Sequence, residues 1–65
     1  MRTRRKYPNN IYVRLNGVYE GGRTVRYKII GYVYDRKFGQ YWYDLMTEDR
    51  RFVIREERYI ERYIV

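Results

Sequence analysis

The sequence predicts an all-β protein: a small five-stranded antiparallel barrel with one short helical turn near the C-terminus. Three observations carry that expectation. Short runs rich in Tyr, Val and Ile recur between residues 22 and 60. Each run is bounded by glycine or by a charged turn, and within the runs apolar and polar residues alternate with the period of two that a half-buried strand requires. The 65 residues suffice for one domain, and a chain this short buries only about 60% of the surface its unfolded form exposes. With no Cys and no His, disulfides and the usual transition-metal sites cannot staple it. Ten Tyr, two Phe and one Trp must supply the packing.

In chain order, residues 1–10 read as a basic flexible arm that ends at the turn-forming Pro8-Asn9-Asn10, and residues 11–65 as the barrel. Ile11 to Leu15 alternates, with Ile11, Val13 and Leu15 on one side and Tyr12 and Arg14 on the other. Asn16-Gly17 signals a hairpin, Val18-Tyr19-Glu20 its short return arm, and Gly21-Gly22 a break. A strand then runs from about Arg23 to Tyr27, and Ile29 to Tyr34 forms another, with Gly31 marking a bend or bulge. Asp35 to Gly39 turns the chain into the strand Gln40 to Met46. That strand sets Tyr41, Tyr43 and Leu45 against Trp42, Asp44 and Met46. After a turn at residues 47–50, Phe52-Val53-Ile54 is a short strand, Arg55 to Arg58 a helical turn, and Tyr59 to Val65 the last strand. One helix over residues 53–65 is the alternative, although its apolar positions fit a 3.6-residue period poorly.

Composition argues against catalysis. The chain lacks His, Cys and Ser, which removes the commonest general base and the two commonest nucleophiles and leaves Thr3, Thr24 and Thr47 as the aliphatic hydroxyls. The acidic pairs Glu48-Asp49 and Glu56-Glu57 each sit beside arginines that neutralise them. No enzyme activity, metal, cofactor or small-molecule substrate is expected. The apolar runs are far shorter than the roughly 20 residues of a spanning helix, and no apolar leader follows the basic start, so no membrane partner and a cytoplasmic location are expected.

The net charge of +7 is uneven. Arg2, Arg4, Arg5 and Lys6 carry four of those charges and leave +3 for the rest. Arginine outnumbers lysine twelve to three, and its planar fork grips phosphates and stacks on aromatic rings, whereas lysine is a hydrated point charge. Clustered cations of this kind suit nucleic acid.

The pattern over residues 18–61 resembles the SH3-like small barrels of the Tudor, agenet and KOW kind. Gly22-Arg23-Thr24-Val25-Arg26-Tyr27 matches the opening Gly-x-x-Val-x-Tyr phrase, Gly31-Tyr32-Val33 the second-strand glycine, and Tyr43-Asp44-Leu45 the third strand. Arg55 to Ile60 matches the closing helical turn. Arg23 departs from the pattern, since an acidic residue is usual there. The resemblance implies a binding module, and such a fold does not by itself choose the partner.

Strand alternation with Val25, Tyr27, Val33, Tyr43, Leu45 and Ile60 inward leaves Arg26, Lys28, Tyr32, Tyr34, Trp42 and Asp44 outward. Nucleic-acid binding is then expected through a stacking platform of Tyr32, Tyr34 and Trp42 flanked by Arg26, Lys28 and Arg36, with the arm residues Arg2, Arg4, Arg5 and Lys6 on phosphates. A protein-interaction module is the alternative, such as a viral or mobile-element protein that blocks a host enzyme, because aromatic and arginine enrichment also marks protein interfaces. A reader of methylated residues with a cage of Tyr27, Tyr34, Trp42 and Asp44 is a third reading, disfavoured by the positive charge. A monomer or weak homodimer is expected, and packing of the aromatics under the N-terminal hairpin or in an oligomer interface is the non-functional account of them.

Overall fold

The computed structural model describes residues 4–65. Four antiparallel strands, β1 (Tyr12–Leu15), β2 (Val25–Asp35), β3 (Gln40–Met46) and β4 (Phe52–Glu56), form one open sheet in the order β1-β2-β3-β4, and a helix, α1 (Glu57–Tyr63), follows. The fold is therefore mostly β, but the closed five-stranded barrel is not what these residues form. The expected fifth strand is reduced to one bridge between Leu15 and Ile64, flanked by hydrogen bonds from Asn16 N–H to the Tyr63 carbonyl and from Val65 N–H to the Arg14 carbonyl.

Helix wins over strand at the C-terminus because it drops Ile60 into the core with no exposure and sets the Tyr59 ring 4.7 Å from that of Tyr63 over Gly17. Strand propensity yields readily to such packing. Glu57 in the first turn and Arg62 in the last complement the helix dipole. Arg55 and Glu56, expected to open the helical turn, instead end β4.

Residues Val18–Glu20, expected as a return strand, form a single 3₁₀ turn. Its anchor is electrostatic. The buried Glu20 carboxylate folds back to accept the Gly17 N–H at 2.8 Å and also accepts the hydroxyls of Tyr27 at 2.8 Å and Tyr59 at 2.6 Å. Such charge-assisted bonds are about twice as strong as neutral ones, and a strand at 18–20 would forfeit all three. Gly21 and Gly22 then take positive φ and lead the chain out of the turn.

The two strands expected at residues 23–27 and 29–34 are one strand, β2, with the anticipated irregularity between Ile29 and Gly31. The extra residue reverses the facing of everything after it. Val33, expected in the core, is 61% exposed, while Tyr32 and Tyr34 swing to the core side. The core itself is Val13, Leu15, Tyr27, Ile29, Tyr41, Tyr43, Leu45 and Ile60, with Val25 half-buried beside it. It lies between one face of the sheet and α1, and each fully buried aliphatic side chain there contributes roughly 1.5 to 3 kcal/mol.

Candidate nucleic-acid interface

The sheet has two unlike faces. On the covered face, α1, the 3₁₀ turn and residues 5–7 lie against the core. The Arg5 guanidinium stacks 3.8 Å from the Tyr32 ring centre, Tyr7 meets Tyr43 edge-on at 5.6 Å, and Lys6 pairs with Glu61 while its backbone N–H donates to Glu57 at 3.1 Å. Residues 5–7 of the basic arm thus contact the covered face, and the Tyr7 N–H donates to the Tyr43 hydroxyl at 3.2 Å. Beyond α1 the same face carries a tyrosine cluster, with Tyr41 5.8 Å from Tyr32 and 4.8 Å from Tyr34.

The covered face holds its polar groups tightly. Burial raises the Tyr27, Tyr43 and Tyr59 hydroxyls to about 12, reinforced by donation to Glu20 from Tyr27 and Tyr59 and to Glu57 from Tyr43. Burial also works to raise Glu20, but the hydrogen bonds from Tyr59, Tyr27 and Gly17 outweigh it and hold the carboxyl below its ordinary range.

On the open face, no described residue packs over the sheet. Strand register fixes its layout. Arg14 lies opposite Arg26, and one row along come Tyr12, Lys28, Met46 and Phe52. Then come Gly31, Asp44 and Ile54, and after them Val33, Trp42 and Glu56. The Arg26 guanidinium sits 4.0 Å from the centre of the Tyr12 ring, and its approach to Glu48 at 4.0 Å is an exposed contact worth little. A hollow of about 410 Å³ at this basic end is lined by Tyr12, Arg26, Lys28, Ile30, Met46 and Arg50, among others. A smaller one of about 150 Å³ lies at the β4 edge, between Trp42, Ile54 and Glu56 of the open face and Tyr19, Arg55 and Tyr59 of the covered side. The Trp42 ring N–H donates to Asp35 at 3.3 Å, which fixes the indole.

The expected platform is consequently divided. Arg26, Lys28 and Trp42 share the open face, whereas Tyr32 and Tyr34 lie on the covered side with Arg5. Arg36 is exposed in the turn that joins β2 to β3, Arg4 is exposed, and Arg2 lies outside the described residues. The methyl-reader cage does not assemble either, because Tyr27 and Tyr34 are on the opposite face from Trp42 and Asp44. Sequence reasoning left Tyr12, Arg14 and Phe52 out of the site. The alternation of Ile11 to Leu15 already set Tyr12 and Arg14 outward and could have found them, but Phe52 had no comparable signal.

Among the described residues no group of three acidic, His or Cys side chains is placed to hold a metal ion, and no helix is long and apolar enough to cross a membrane. Comparison with protein-family models, curated proteins and solved structures gives no match. The small-barrel resemblance therefore rests on its motifs alone.

Proposed function

We propose that the chain is a non-enzymatic nucleic-acid-binding module, with the open face of the sheet as its binding surface. The observation that carries this reading is one uncovered face with Arg14, Arg26 and Lys28 around Tyr12 at one end and Trp42 at the other. Single-stranded nucleic acid asks for that combination, cations that track phosphates beside rings that stack bases, at roughly 1 to 3 kcal/mol per stacked base. Tyr32 and Tyr34 make a poorer platform, because Arg5 already occupies one side of Tyr32.

Binding of single-stranded and duplex DNA and RNA across a salt series tests the reading. For single strands log K falls with log salt at about −0.7 per phosphate neutralised, so replacing Arg14, Arg26 and Lys28 by Ala should flatten the slope by about 2. No binding at low salt, or a slope indifferent to the three cations, would rule it out.

One observation favours a second reading, a protein-interaction module. Val33 and Ile54 are about half exposed or more on the same face, and aliphatic side chains add little to base stacking. Failure of every oligonucleotide at low salt would pass the open face to a protein partner.

A further inference from the structure

We infer that Asp44 reads the Watson–Crick edge of a guanine in a single strand laid across the open face, an inference that rests on the nucleic-acid reading above. Asp44 sits on the inner strand β3, between Gly31 of β2 and Ile54 of β4. Its Oδ2 lies 2.9 Å from where a side chain on residue 31 would begin, so the carboxylate sits in the space that Gly31 leaves open and would have to shift for a larger residue. Among the described residues no cation or N–H is bonded to it. Two residues along the same strand, and so on the same face roughly 7 Å away, stands Trp42. The cations lie to the other side, with Lys28 opposite Met46.

A bare carboxylate in the middle of this face repels phosphates, so it is accommodated best where a base, not the backbone, passes over it. Phosphates held by Arg14, Arg26 and Lys28 leave a neighbouring base free to stack on Trp42 with its edge toward Asp44. An ionised carboxylate only accepts hydrogen bonds, through two oxygens. Guanine alone among the four bases offers two parallel donors on that edge, N1–H and the 2-amino group, and so makes a bidentate, charge-assisted pair. Cytosine and adenine each offer one amino group next to a repelling ring nitrogen, and uracil offers one N–H between two carbonyl oxygens.

Fluorescence anisotropy with the RNA heptamers UUUNUUU, where N is G, C, A, U or inosine, tests the inference directly. Guanine should bind about tenfold more tightly than adenine or uracil, with inosine, which keeps N1–H but lacks the 2-amino group, in between. Asp44→Ala should remove that ranking. Gly31→Ala should shrink it while the circular dichroism spectrum stays native, because the new methyl group displaces the carboxylate. Salt-sensitive binding of equal strength to all five heptamers would overturn the role of Asp44 and leave the nucleic-acid reading standing, as would a guanine preference that survives Asp44→Ala. Failure of all five to bind at low salt would overturn both, so the two failures are told apart. The inosine arm uses the unaltered protein, so a missing preference for the 2-amino group there overturns the role of Asp44 even if a variant does not fold.

Discussion

At position 17 a single methyl group decides whether the C-terminal helix can dock. A side chain there would begin 2.1 Å from the Tyr59 hydroxyl oxygen and 2.8 Å from the Tyr63 ring, and both rings are braced against each other. Gly17→Ala should cost about 1 to 3 kcal/mol by overpacking, read as a lower urea midpoint. Native stability from Gly17→Ala would mean that α1 does not sit where the structure has it. Glu20, next to it, sets the pH limits together with its tyrosine partners. Its folded carboxyl titrates below the ordinary value of 4.5, so its contribution is present above that value and is lost as pH falls through the lower folded one. The tyrosines run the other way. Tyr27, Tyr43 and Tyr59 are raised from 10 to about 12, so the fold favours their neutral forms; that contribution is complete below pH 10 and is lost as pH climbs toward 12. Thermal melts should show both limbs, and Glu20→Gln should flatten the acid one. An acid limb identical in Glu20→Gln would assign it to other carboxylates.

Among the elements, β2 and α1 carry the differences between sequence and structure, and both can be tested by truncation. Ile60→Ala, at the buried contact of α1, should cost about 2 to 5 kcal/mol, whereas Val33→Ala on the open face should stay within about 0.5 kcal/mol. Equal costs in chemical denaturation would mean that the facing of β2 past Gly31 is wrong. The strands themselves were legible, since β3 matches its expected span residue for residue and Gly31 marked the irregularity in β2. What alternation does not convey is that the extra residue at Ile30 reverses the facing of Tyr32, Val33 and Tyr34, which split the expected platform. The docking of Arg5 on Tyr32 was illegible for a different reason. It joins residues far apart in sequence, and a cluster of basic residues carries no sign of the ring on which one of them stacks. The loss of the return strand at 18–20 is similar, because the Glu20 carboxylate finds its partners at Tyr27 and Tyr59, and local pattern does not reveal that pairing.

For the molecule as a whole, the sheet separates two jobs. One face uses α1, the 3₁₀ turn and residues 5–7 to make a core without disulfides, and the other carries cations, rings and Asp44, whose carboxylate has no bonded partner among the described residues. Under the proposed nucleic-acid reading, the charge of +7 would draw in an anionic strand at long range and the open face would supply the short-range contacts. Exposed aromatics occur on both faces, and single substitutions on each tell which face binds. The most direct test measures the affinity of a single-stranded oligonucleotide for Trp42→Ala and for Tyr34→Ala, with circular dichroism confirming that both are folded. Trp42→Ala should weaken binding by about 1 to 3 kcal/mol and Tyr34→Ala should leave it within about twofold of the unaltered protein. Loss of binding in Tyr34→Ala with Trp42→Ala unaffected would contradict the account and move the site to the tyrosine cluster beside Arg5.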